Sequence, residues 1–137
     1  MKSSMILATA LLAYGLPAKA AEVWTCQGIS EIAKTKWSFR FELSPPDLIE
    51  TEYAGYPDKD QYRILENNEY GVVATHAQIG APPQPEDEFQ APGGVLGYTI
   101  VINKKTGVFL YAASQLSNDK PDGPFFYDLI SGKCQKD

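Results

Sequence analysis

Histidine and cysteine are nearly absent from this chain of 137 residues, which holds one His and two Cys. No H-x-x-x-H, H-x-H or C-x-x-C spacing occurs. Local metal ligation, a triad built from sequence neighbours and a redox dithiol therefore have no motif to rest on, and no cofactor is implied. Positive charge is scarce too, with 12 Lys and Arg against 17 Asp and Glu. Nucleic acid and anionic lipid surfaces both require clustered Lys and Arg, so neither is expected as a partner. Long apolar runs are missing as well. The stretch at 5–12 (MILATALL) is about half of the ~20 residues that span a bilayer, and no segment after residue 20 repeats apolar residues at helical spacing.

What is present at the start reads as an export signal. Lys2 precedes the short apolar stretch, Gly15 and Pro17 interrupt it, and Ala18-Lys19-Ala20 offers the small residues a signal peptidase needs. Cleavage of 1–20 would leave 21–137 as a single domain, periplasmic or secreted, with 10 basic and 17 acidic residues and a net charge of −7. A lipid-anchored form is not expected, because Cys26 follows Val23-Trp24-Thr25 rather than small residues. Membrane insertion after cleavage is not expected either.

Export places Cys26 and Cys134 in an oxidising compartment, where they are expected to pair. Closing a loop of ~100 residues removes on the order of 4.7 kcal/mol of unfolded-state freedom in the chain-entropy model. That is a large share of the ~5–15 kcal/mol by which a domain is stable.

Alternation at period two dominates the remainder. Trp37, Phe39, Phe41 and Leu43 fall on one face of a strand at 36–43, backed by Lys36, Ser38, Arg40 and Glu42. Ser44-Pro45-Pro46-Asp47 ends that strand. Further strands are expected at 23–28, 48–53, 61–65, 70–78, 95–102, 108–116 and 125–130. Asn67-Asn68 suits either a tight hairpin with a positive φ or a four-residue loop that avoids setting Glu66 against Glu69. Around the turn 103–107, the Gly suits the left-handed closing position, and the register pairs Ile102 with Phe109, Ile100 with Tyr111 and Tyr98 with Ala113. The opposite face there, around Thr99 and Ala112, is small, flat and only weakly polar. About eight sequential strands with no covering helix must close or stack. A bridge between the first and last strands would tie the would-be edges together. The expected fold is all-β: a small eight-stranded antiparallel up-and-down barrel, or a closely related sandwich, closed by a terminal disulfide.

Candidate chemistry is thin. Glu50 and Glu52 lie two apart on a strand and would share a face, at a spacing near that of paired carboxylates in sugar hydrolysis. The competing expectation is a solvated strand face backed by Ile49, Thr51 and Tyr53. His76 reads as an ordinary residue at the sheet surface. Trp37, Phe39, Phe41, Tyr98 and Tyr111 are most economically core, but would line a ligand pocket if the barrel were unfilled. The segment 80–94 (GAPPQPEDEFQAPGG) is the one long irregular stretch, and loops of that length are often functional.

In general shape the chain is similar to exported lysozyme inhibitors, small acidic barrels stapled by cysteines, although their serine/glycine-rich strand motif is absent. What that resemblance implies is architecture. The leading functional expectation is a non-enzymatic interaction or inhibitor-type module that meets a protein of the cell envelope or exterior. It would use the acidic loop, with Glu86, Asp87, Glu88 and Phe89 as candidate contacts, together with the flat face. The alternatives are a carrier of a small hydrophobic ligand inside the barrel and a hydrolase using acidic residues.

Overall fold

A computed structural model describes residues 20–79, 95–116 and 126–137. Residues 1–19 of the expected signal, and all of 80–94, lie outside the described residues. Nine strands follow in chain order: β1 (Glu22–Ser30), β2 (Lys36–Ser44), β3 (Asp47–Tyr53), β4 (Tyr56–Pro57), β5 (Gln61–Asn67), β6 (Gly71–Ile79), β7 (Val95–Asn103), β8 (Val108–Leu116) and β9 (Phe126–Lys136). Every pairing is antiparallel, in the order β2-β1-β9-β8-β7-β6-β5-β3, and β2 also pairs with β3. That last pairing closes an eight-stranded barrel. The two-residue β4 is an extra strand that pairs with the end of β3, Tyr56 with Tyr53 and Pro57 with Glu52.

Alternation decides which side chains enter. Along β8, Phe109, Tyr111, Ala113 and Gln115 are buried, while Val108, Leu110, Ala112, Ser114 and Leu116 are exposed. The expected pairs Ile102–Phe109, Ile100–Tyr111 and Tyr98–Ala113 are all present, and Gly107 has the left-handed φ of 72°. Phe39, Phe41, Leu48, Tyr62, Ile100, Ile102 and Phe109 are essentially sealed from solvent. Gly28 leaves room for this packing, because a Cβ there would lie 2.8 Å from Ile130 Cγ2 and 3.0 Å from Phe109 Cζ.

Cys26 and Cys134 are direct partners across β1 and β9 and form a disulfide. The staple therefore ties the first barrel strand to the last. Such a bond fits an oxidising compartment.

Two details differ from the sequence reading, and one alternative that it left open is decided. The last strand runs on to Lys136, because β1 continues to pair with it. The 67–72 hairpin uses the longer loop, in which Asn67 pairs with Val72 and the Asn68 N–H donates to the Gly71 carbonyl at 3.0 Å. Neither asparagine takes a positive φ; Lys34 and Ala54 are the described non-glycine residues that do. Finally, β3 carries a bulge. Phe41 faces Glu50 and Arg40 faces Glu52, so Thr51 is the additional residue. The bulge reverses which side chains face inward. Leu48 and Glu50 point in before it, and Tyr53 points in after it, toward Phe39.

Candidate functional site

The barrel has two unlike ends. The turns at 45–46, 68–70 and 104–107 and both ends of the described chain lie at the end here termed lower. The connections 31–35, 54–60, 80–94 and 117–125 start and finish at the upper end.

At the lower rim, charge is matched. Glu22 Oε1 accepts the Trp24 indole N–H at 2.8 Å and lies 3.5 Å from Lys104 Nζ, while Oε2 lies 3.3 Å from Lys136 Nζ. Partial burial pushes the Glu22 carboxyl up, yet the Trp24 donor and the two lysines outweigh it and hold the group below its ordinary value. Lys104 also donates to Asn67 Oδ1 at 2.8 Å.

The upper interior is built differently. Glu50 is 1% exposed, and its neighbours are a phenol and two other acids. The Tyr62 hydroxyl donates to Glu50 Oε2 at 3.0 Å, and the Glu50 N–H donates to the Asp60 carbonyl at 2.8 Å. Burial pushes the carboxyl up to about 8, Asp58 and Asp60 push the same way, and the Tyr62 hydrogen bond only partly opposes them. Burial likewise raises the phenols of Tyr62 and Tyr111, with Glu50 adding to the rise, and pushes Tyr53 up to about 12. Asp60 is raised by burial and by Asp58, against the pull of His76. At neutral pH this interior therefore holds a protonated carboxylic acid.

A second buried polar group lies at the upper ends of β1 and β9. The Ser30 hydroxyl donates to Asp128 Oδ2 at 2.6 Å, and Asp128 Oδ1 accepts the Leu129 and Ile32 N–H groups at 2.8 and 3.4 Å. The Ala33 N–H donates back to Ser30 Oγ at 2.8 Å. These bonds tie the 31–35 turn to β9, where the Glu31 N–H also donates to the Leu129 carbonyl at 2.8 Å. Trp37 Nε1, buried beside Tyr53, has no hydrogen-bond partner among the described residues.

The predicted site residues are placed as follows. Trp37, Phe39, Phe41, Tyr98 and Tyr111 are brought together inside the barrel: Phe39 stacks on Tyr111 at 5.0 Å and on Phe41 at 5.7 Å, and Tyr98 lies 5.9 Å from Tyr111. They pack against one another as core. Two open depressions of about 590 and 520 Å3 lie outside the barrel, over β1 and β9 and, for the second, β2. His76 is not at the sheet surface. It shares the inward face of Val72 and Ala74, half-buried at the mouth, and its Nδ1–H donates to the Gln61 carbonyl at 2.9 Å. Glu86, Asp87, Glu88 and Phe89 lie outside the described residues.

Glu50 and Glu52 do not share a face. The Thr51 bulge leaves Glu50 inside and sets Glu52 beside the outward Arg40, so the two cannot flank one substrate. Glu50's burial is the feature the residue pattern of β3 alone misses. The signal lay in the neighbouring strand, because a two-residue link at 45–46 sets Leu48 opposite Leu43 and hence Glu50 opposite Phe41. Among the described residues no group of three or more His, Cys, Asp or Glu is arranged to hold a metal ion. No family model, curated protein or solved structure matches this chain.

Proposed function

We propose that this protein is an exported, non-enzymatic binding module that takes a basic protein partner at the upper end of its barrel, through the acidic loop 80–94. The observation that carries this reading is the charge difference between the two ends. The four upper connections hold eight acids and three lysines, whereas the lower turns hold Glu69 against Lys104 and Lys105. A field of one sign confined to one end steers and orients an oppositely charged protein. Phe89, next to Glu86-Asp87-Glu88, supplies an aromatic anchor of the kind that carries binding energy at interfaces.

Two further observations support recognition at the rim over carriage of a ligand. Stacked rings occupy the interior where a ligand would sit. Ser30 and Asp128, both buried and hydrogen-bonded to each other, fill the interior at the upper ends of β1 and β9. Export follows from the leader-like residues 1–20, with which the disulfide agrees.

Capture from a cell-envelope extract tests the proposal. Tagged protein is expected to retain a basic partner that is released by salt. It is expected to lose that partner when Glu86, Asp87 and Glu88 become Gln, Asn and Gln, and to keep it when Glu69→Gln alters the lower end. Capture that survives the triple substitution, or no capture at all, would overturn the proposal.

A further inference from the structure

The two walls of the barrel differ as sharply as its ends. Outside β2, β3 and β5 stand Lys36, Arg40, Glu42, Asp47, Glu52 and Arg63, with Arg40 paired to Asp137 at 3.0 Å and Arg63 to Asp47 at 3.4 Å. The opposite wall carries no acid on its strands, and its one described charge is Lys133, outward on β9 beside Val108 at the lower corner. The outward positions of 73–79 on β6, 95–101 on β7, 108–116 on β8 and 127–131 on β9 are sixteen residues, and none of them is Asp, Glu, Lys, Arg or His.

Relief on this wall is ordered. Ladder register sets Thr75 beside Thr99, Thr99 beside Ala112, and Gly97 beside Ser114, which makes a low trough of small side chains across three strands. Above it stand Ile79, Val95 and Leu116, exposed by 80%, 43% and 53%, and below it Val101 and Leu110, exposed by 36% and 40%. The small residues let another backbone come close, and the ridges are apolar.

We infer that this acid-free wall pairs with the same wall of a second copy of the chain, in a two-fold dimer where the lower ridge of each copy fills the trough of the other. Charge selects the occupant. A protein of net charge −7 after leader removal repels its own copies through its acidic surfaces, and on this wall two copies meet without opposing carboxylates. A basic partner, as proposed for the upper end, gains nothing from a wall with no acids. A ridge that fits a trough on the same surface is self-complementary, as a two-fold contact requires.

Area sets the strength. Four strands about 4.8 Å apart and about seven residues long, at about 3.3 Å per residue, cover roughly 450 Å2 in flat projection. That is below the ~800 Å2 per partner of a standard interface, so the dimer is weak. The inference is independent of the proposed function, because the face lies on the side wall and uses none of the loop acids.

Sedimentation equilibrium of the protein from about 10 µM to about 1 mM in ordinary salt tests it. The expected result is a monomer–dimer equilibrium that added salt does not weaken, that Ala112→Glu and Thr99→Glu each weaken at least tenfold, and that Glu42→Gln on the charged wall leaves unchanged. Concentration-dependent amide shifts in the unmodified protein give a reading free of any folding defect in a variant, and are expected on 97–101 and 110–114. A chain that stays monomeric to 1 mM, including one that instead floats with neutral phosphatidylcholine vesicles, would overturn the inference. So would dimers that survive both substitutions, or shifts centred elsewhere.

Discussion

Glu22 and Glu50 are the same side chain in opposite circumstances. Glu22 sits at the lower rim among two lysines and an indole N–H, and is held below the ordinary value. Glu50 is deeper, has a phenol as its donor and acids as its neighbours, and is pushed up to about 8. The lower end thus satisfies its charges and stabilises the barrel. The upper end keeps an acid protonated and sets eight acids against three lysines in its connections, an excess of one sign that supports the proposed partner site.

The largest expected effect tests whether the disulfide in the lower half holds the fold. Replacing Cys26 and Cys134 by Ala should cost about 4–5 kcal/mol, because the 108-position loop is then free in the unfolded chain. Urea unfolding without reductant measures it. A cost below about 1 kcal/mol would show that strand closure alone suffices.

Next is the apolar packing of the lower half. Phe109 is fully buried and meets Phe39 edge-on at 5.9 Å, so Phe109→Ala should cost about 3–5 kcal/mol. Thermal and urea melts check this.

The two glutamates predict opposite pH behaviour. Glu50 binds its proton more tightly folded (about 8) than unfolded (4.5). Its contribution is fully present below pH 4.5 and is lost as pH rises toward about 8, a change of a few kcal/mol. Glu50→Gln, which still accepts from Tyr62, should remove that decline, so the variant gains on the parent between those limits. Glu22 has the reverse sign. Its contribution is present above pH 4.5 and is lost as pH falls through its lowered value. Lys136 is 54% exposed, so solvent screening keeps this effect below about 1 kcal/mol. Denaturant midpoints of parent, Glu50→Gln and Glu22→Gln across pH 3–9 would expose the opposite slopes. Parallel slopes would erase the contrast between the ends.

The barrel was legible because its signals are local or arithmetical. Strong alternation marks 36–43 and 95–116, the Gly of the 103–107 turn fixes one register, and two cysteines near the ends of a β-rich chain imply closure. The inward face of β3 was not legible from β3 itself. Ile49, Thr51 and Tyr53 alternate as convincingly as Leu48 and Glu50, and only pairing with β2 and the Thr51 bulge decide between them. His76 was misplaced for a related reason, since a polar residue on the face of Val72 and Ala74 can be read as solvated until the neighbouring strands close over it. The Ser30–Asp128 bond joins residues 98 positions apart, and no spacing rule brings such a pair together.

The most direct test is the ionisation of Glu50 itself, followed by carbon NMR of its side-chain carboxyl while pH is raised on the folded, disulfide-bonded protein. The account predicts a midpoint of about 8, with the Tyr62 ring signals changing over the same range. A midpoint at the ordinary 4.5 would contradict it, because Glu50 would then be a solvated or cation-paired carboxylate and the two ends of the barrel would be alike.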